Sequence, residues 1–416
     1  MTPSRRATFR EVFTVREFRA LWAAELLSQL GDQFARVSLS VLVYRRTSSA
    51  LLTGLTYALT YLPSLLGGVL LGGLADRYAR REVIVATDLV RAALVGLMTL
   101  PGVPLPALCL LLAGMSTLSG PFKAAQLALL ADVLTGDRYV LALSVRHMTI
   151  QSAQVAGFLA GGVLAQGVGP AAGLGLDALT FTASAALVRL GVRRRRAPAS
   201  CNVSASRGNA AGGRALVWRH PGLRSLTGLS WLAGCYIAPE GLAAPYTEAL
   251  GASSAVAVGL IMASDPVGSV IGALVFGRFV SETTRVRALA PLALLAGLPL
   301  ALCVFQPGLA VSALLFAVSG ALATGYHIQL SASFVQLLPA SAKAQGLGVM
   351  SSGLITVQGL GTLAGGVVAD LAGPANAVAL AGAAGILLGT RPAWIWSRMS
   401  GSDGPARPPS RPPRPG

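Results

Sequence analysis

Apolar residues along this chain neither alternate nor keep to one helical face; they come in long runs separated by short polar stretches. A helix needs about 20 mostly apolar residues to cross the hydrocarbon core of a bilayer. Twelve stretches qualify: 18–44, 51–75, 82–100, 104–125, 139–166, 170–190, 223–249, 254–278, 287–305, 307–338, 343–370 and 374–396. The last ends in Trp394 and Trp396, residues suited to an interfacial aromatic belt. The longest break, rich in Arg, Ser, Gly and Ala, divides the spans six and six. The chain thus reads as an all-α membrane protein of twelve transmembrane helices in two six-helix, pseudo-symmetric halves. The first half is 1–191, a flexible basic linker follows over 192–221, the second half is 222–398, and 399–416 is a Pro/Arg-rich tail with too little apolar surface to fold.

The halves echo one another. The second stretch opens Gly54-Leu55, has Pro63 midway and meets Arg77; the eighth opens Gly259-Leu260, has Pro266 and meets Arg278. Repeats related by an axis along the membrane normal would leave such an echo.

Composition agrees with the bilayer. Of 416 residues, 53% are hydrophobic and 12% charged, against about 25% charged in a soluble domain. A net charge of +17 would point to nucleic acid in a soluble protein. Here the cations sit in loops and tails between apolar runs, where positive-inside topology accounts for them and no nucleic-acid partner is needed. The first run follows Arg5, Arg6, Arg10, Arg16 and Arg19 and is too long for a signal core, so the N-terminus is expected in the cytoplasm. An even number of spans places the C-terminus there too, in a multi-pass protein of the plasma membrane. Cytoplasmic loops would hold Arg77, Arg80 and Arg81, then Lys123 and Arg138, then Arg193 to Arg196, and later Arg278, Arg285 and Lys343; Arg45 and Arg46 are the outer exceptions.

The four cysteines, Cys109, Cys201, Cys235 and Cys303, have no metal-ligand spacing and form no disulfide framework. Neither a Gly-x-x-x-x-Gly-Lys-Ser/Thr loop nor a His-Glu-x-x-His pair is present, so no enzyme, cofactor or metal is expected.

Polar residues inside the spans are few. Glu25, Gln29, Asp32 and Arg36 share one face of the first, within an arc of about 60° at 100° per residue. A charge at mid-span costs about 2.5 to 3.5 kcal/mol on insertion scales, so this stripe must face protein or water. Asp32 and Arg36, at i and i+4, can neutralise each other. Either Asp32 or Glu25 exchanges a proton with Arg36 tuning its affinity, or the pair is a static tie between helices. Glu240, after Pro239 in the seventh span, is a second proton candidate at similar depth. Asp88 and Arg91 read as a structural i, i+3 pair; Asp177 and Asp265 are isolated carboxylates.

Gly72-x-Leu74-Ala75-Asp76-Arg77-x-x-Arg80-Arg81, between the second and third spans, resembles the signature loop of the major facilitator superfamily. Gly31-Asp32, Asp88-Leu89-Val90-Arg91 and Lys343-Ala344-Gln345-Gly346-Leu347 are similar to the bacterial drug and siderophore exporters related to the enterobactin exporter. Two positions depart from the pattern: Ala79 stands where the loop usually has Gly, and Phe158 replaces the Pro of the fifth-span antiporter motif. The resemblance implies alternating access, with Gly72, Asp76, Arg77, Arg80 and Arg81 as a conformational gate. Asp76 would meet the N-terminus of the eleventh helix around Ala344 to Gly346, where a carboxylate gains about 0.3 to 2 kcal/mol. Arg77, Arg80 and Arg81 could pair with Asp132, Asp137 or lipid phosphates; the alternative is a loop that only anchors topology. The superfamily lines its cavity with the first, fourth, seventh and tenth helices. This makes Gln29, Trp231, Tyr236, Tyr326, His327 and Gln329 substrate-facing candidates. The implied function is export of a small amphipathic compound in exchange for protons, by a monomer in contact with membrane lipid. An importer or uniporter of the same fold, and a non-transporting sensor or scaffold, remain open.

Overall fold

Hydrocarbon offers no water to backbone N–H and C=O groups, so a chain that crosses it must satisfy them within each segment, and a helix does so. The computed structural model describes residues 9–71, 73–134, 136–195, 210–339 and 342–402; among these the regular structure is helical throughout, with no strand. Nine helices among the described residues are long and apolar enough to cross a membrane. Three further passes bring the arrangement to the twelve read from the hydrophobic runs. They are Arg16–Thr47, Arg80–Met98 and a broken seventh pass made of Pro221–Trp231, Ala233–Tyr236, Ala238–Gly241 and Ala243–Ala249. These three are the least apolar because they carry Glu25, Asp32 and Arg36, then Asp88 and Arg91, then Glu240.

The second pass is also in two pieces, Ala50–Ala58 and Leu62–Leu71, joined by a tighter turn over 59–61. Pro63 has no N–H to bond the carbonyl four residues back, which accounts for the interruption. The fourth helix runs Leu105–Val133, past the end expected for it. Lys123 therefore lies within a membrane-crossing helix, and its assignment to a cytoplasmic loop is corrected. Within 192–221, Ala210–Arg219 is helical; its Val217 is fully buried and its Trp218 meets Trp231 edge-on at 5.8 Å, so this part packs on the second half. The remainder of that stretch over 196–209, the tail beyond 402, and Gly72 lie outside the described residues.

Small residues set how close the helices come, as expected where lipid competes for every apolar side chain. Gly67 of the second pass abuts the Thr117 backbone of the fourth, and Gly268 of the eighth abuts the Ala317 backbone of the tenth. The same correspondence joins the halves. A Cβ on Gly54 would stand 2.8 Å from the Thr362 carbonyl oxygen of the eleventh helix, and one on Gly259 would stand 2.5 Å from the Phe158 oxygen of the fifth. The Gly-Leu echo in the sequence thus marks the two matched places where each half grips the other. Around them one core runs through both halves, from Val37, Tyr57 and Phe158 to Leu226, Tyr246 and Tyr326.

Candidate functional site

The polar stripe of the first helix is divided among three partners. Glu25 turns to Arg146 of the fifth helix, with Oε1 2.6 Å from Nε. Two turns on, Asp32 pairs with Arg91 of the third helix at 3.0 Å. The expected Asp32–Arg36 neutralisation is not what the structure contains, because a cation from a neighbouring helix reaches Asp32 first. Arg91 also comes within 3.6 Å of Asp88, and its guanidinium lies 3.9 Å from the centre of the Phe181 ring. Ser184 donates its hydroxyl to Asp88 at 2.6 Å. The Asp88–Arg91 pair is therefore present, and Asp32 joins it. One planar guanidinium with five donors can hold two carboxylates in this way. Asp177 is fully buried beside them, with Thr180 near one oxygen and, among the described residues, no hydrogen-bond partner on the other.

Arg36 points to the second helix, its guanidinium 5.6 Å from the centre of the Tyr57 ring and 5.8 Å from that of Tyr61. Tyr57 donates its hydroxyl to Glu240, a buried carboxylate of the seventh pass, so this bond crosses from one half to the other. Glu240 was legible as a candidate; Tyr57, its partner, was not, because nothing in an apolar run announces which helix will face it.

At the rim away from the basic loops the halves are tied twice more. Asp370, near the end of the eleventh helix, accepts from the backbone N–H of Ala50 at 2.6 Å and from the Ser49 hydroxyl at 2.7 Å. Gln166, near the end of the fifth, accepts from the backbone N–H of Ala255 at 2.9 Å. Each acceptor caps the opening turn of a helix in the other half, where backbone N–H groups have no partner of their own. Fifth with eighth and eleventh with second are equivalent pairs in the two halves.

Among the described residues, three cavities larger than about 10 Å³ are lined by these helices. The largest, about 580 Å³, is lined by Trp218, Trp231, Ser352 and Thr356 from the second half and Leu65 from the first. One of about 440 Å³ has His147 and Gln151 of the fifth helix on one side and Tyr236, Asp265 and His327 on the other. The third, about 80 Å³, belongs to the first half and is lined by Gln29, Asp32, Arg36, Arg91 and Lys123 with several hydroxyls. Of the substrate-facing candidates, Gln29, Trp231, Tyr236 and His327 therefore line cavities. Tyr326 and Gln329 do not line these three: Tyr326 is fully buried with its ring 4.7 Å from His327, and Gln329 donates to Ser333 at 3.1 Å. A helical step of about 100° separates a cavity face from a packed one, so neighbours in sequence part company. Lys123 and Gln151 were not nominated by sequence; Lys123 was hidden by its reading as a loop charge, and His147, beside Arg146 near the start of the fifth span, ranked below His327.

In the basic loop, Arg80 pairs with Asp132 at 2.5 Å and donates to the Ala128 carbonyl at 3.1 Å. Arg77 is exposed and Arg81 half-buried. Asp76 lies on a short helix, Leu74–Arg77, and the eleventh helix begins at Lys343. Glu82 is met by Arg194 at 2.7 Å and Glu17 by Arg195 at 2.7 Å, so the break after the sixth helix is tied to the starts of the third and first.

Solved structures with this arrangement of helices include a mutant of the nucleoside transporter NupG, with a TM-score of 0.76, 13% identity, and 91% of this chain and 99% of that one covered. A bacterial homologue of the human lysosomal transporter Spinster, inward-facing and unoccupied, matches with a TM-score of 0.73 and 14% identity over 94% and 99% of the two chains. A bacterial homologue of the iron transporter ferroportin, in its inward-facing state, matches at 0.69 and 16% over 92% and 98%. At these identities the likeness is one of fold. No curated protein matches the sequence. The profile of the Major Facilitator Superfamily matches residues 21–253, more than half the chain, and takes in the signature loop, the Asp32–Arg91–Asp88 cluster and Glu240. With twelve passes in two matched halves around cavities, the chain is a member of the major facilitator superfamily of membrane transporters.

Proposed function

We propose that the protein exports a small amphipathic compound from the cytoplasm in exchange for protons. It would act as a monomer in the plasma membrane with both termini inside. The halves are tied at the rim away from the basic loops. Positive-inside topology puts that rim outside, so this conformation is the one open to the cytoplasm. In the alternate conformation the rim parts and the basic loop closes, with Asp76 meeting the start of the eleventh helix at Lys343 to Gly346, where the helix dipole favours a carboxylate. Arg77, Arg80 and Arg81 hold the loop against Asp132 and lipid phosphates.

The observation that carries the coupling is the position of Asp32, the one carboxylate among the small cavity's lining residues, with Arg91 as its partner. Ionised Asp32 is held by Arg91; a proton on it removes the charge that Arg91 attracts and frees the helix to move. Arg91 is not left alone, since Asp88 still faces it. Such a carboxylate can carry a proton across while the halves alternate, and substrate binding nearby can compete with it. Glu25 and Glu240 are the further proton candidates, each already joined to a partner whose separation would accompany the change of conformation.

Flux in inverted vesicles with an imposed pH gradient tests this. Wild-type protein should accumulate substrate against its gradient, and an uncoupler should abolish the accumulation. Asp32→Asn should lose gradient-driven accumulation while still equilibrating substrate. Unchanged accumulation by Asp32→Asn would rule Asp32 out as the coupling site, and accumulation only under the opposite gradient would make the protein an importer.

A further inference from the structure

We propose that Lys123 and Arg36 receive an anionic end of the transported compound, a carboxylate, sulfonate or phosphate, on the wall of the first half. This rests on the export reading for its substrate and adds the substrate's charge. Lys123 lies in the fourth helix with an exposed side chain, yet among the described residues it forms neither an ion pair nor a hydrogen bond. A cation at such depth is costly unless water or a counter-charge reaches it. Arg36 similarly forms no ion pair among the described residues; its contacts are the Gln33 side-chain oxygen at 3.4 Å and the faces of Tyr57 and Tyr61.

The acidic groups around them are committed or out of reach of the cavity. Asp32 and Asp88 share Arg91, Glu25 holds Arg146, and Glu240 accepts from Tyr57. Asp177 is fully buried behind Thr180. The charged groups that line the small cavity are therefore three cations and one carboxylate, and that carboxylate is already paired. Ser28, Ser116 and Ser119 line the same cavity and add hydroxyl donors.

The cavity's size decides what part of a molecule it takes. At about 80 Å³ it holds a charged head and not an entire amphiphile. The second helix leads from Ser64, on this wall, to Leu65 on the wall of the largest cavity, where Trp218 and Trp231 offer apolar surface for the remainder. A guanidinium and an ammonium converging on one small space bind an oxyanion and repel a cationic drug.

Thiol labelling of the full-length chain reads this directly. Cys109, Cys201, Cys235 and Cys303 are replaced by Ser, and Ser119→Cys supplies one reporter in the cavity. Its rates with an anionic sulfonatoethyl and a cationic trimethylammonioethyl methanethiosulfonate are each divided by the rate of free cysteine. The sulfonate should be favoured about tenfold, Lys123→Arg should keep that preference, and Lys123→Gln with Arg36→Gln should remove it. Octanoate should slow labelling at least threefold, and octylamine should not. No preference, preference for the cation, preference surviving the double substitution, or no protection by octanoate would each overturn the assignment. Labelling in phosphatidylcholine vesicles, with and without phosphatidylglycerol, separates the two sources of anion. Loss of preference only with phosphatidylglycerol would give the site to a lipid headgroup instead of a substrate. Because labelling needs no flux, its failure leaves proton exchange standing, and failure of proton-driven accumulation leaves the anion site standing.

Discussion

Arg91 holds together charges that would otherwise be isolated in the interior of the first half. It is 3% exposed, contacts Asp32 and Asp88, and stacks on Phe181. Removing one partner of a buried ion pair costs about 3 to 5 kcal/mol, because the other charge stays behind without compensation. Arg91→Ala leaves two carboxylates unmatched, whereas Asp32→Asn leaves Arg91 with Asp88. Thermal unfolding of the purified protein should therefore show a larger loss for Arg91→Ala than for Asp32→Asn. Equal losses would mean that Asp32, not Arg91, anchors the cluster. Asp88 is the more structural of the two acids, fully buried and bonded to Ser184, while Asp32 keeps 18% of its side chain exposed toward the cavity.

Helix ends are the elements by which the halves lock. Asp370 satisfies the first backbone N–H of the second pass, and Gln166 does the same for the eighth. The former is charged and stronger, since a carboxylate also meets the positive end of the helix dipole. In the proposed cycle the loop Asp76 would make the same kind of contact at the other end of the bundle, so opening and closing would exchange one capped helix end for another. Asp370→Ala should loosen this rim, which faces outward in the proposed topology. With Thr53→Cys as a reporter, buried at 1% in the second helix, externally added impermeant maleimide should label several-fold faster in the Asp370→Ala background. An unchanged rate would show that the glycine contacts at Gly54 and Gly259 close the rim without the cap.

For the whole molecule, alternating access requires that the two halves separate at this rim. Ser49→Cys with Asp370→Cys, joined by a short bifunctional thiosulfonate, should hold the rim shut and stop flux, and a reductant should restore it. Full flux through the joined protein would mean that transport does not need the rim to part.

Much of this architecture was legible in the amino-acid sequence because a bilayer penalises polar residues strongly and uniformly. Twelve apolar runs, their division six and six, and the loop that ties the chain to its superfamily needed no coordinates. The same one-dimensional logic misplaced Lys123, since a lone cation near the end of an apolar run looks like the end of a helix. It also paired Asp32 with Arg36, because spacing along one helix reveals same-helix neighbours and says nothing of Arg91 on another. Tyr326 and Gln329 were grouped with His327 by helix number, and only helix rotation distinguishes a packed face from a cavity face. By itself, then, the sequence determined the membrane, the number of passes, the two halves and the kind of residues that had to be sheltered, all consequences of transfer free energy. Which charges meet, that Tyr57 and Asp370 reach across, and that Lys123 and Arg36 form no ion pair among the described residues were decided by tertiary structure, because electrostatic partnership depends on distances between helices that no sequence spacing specifies.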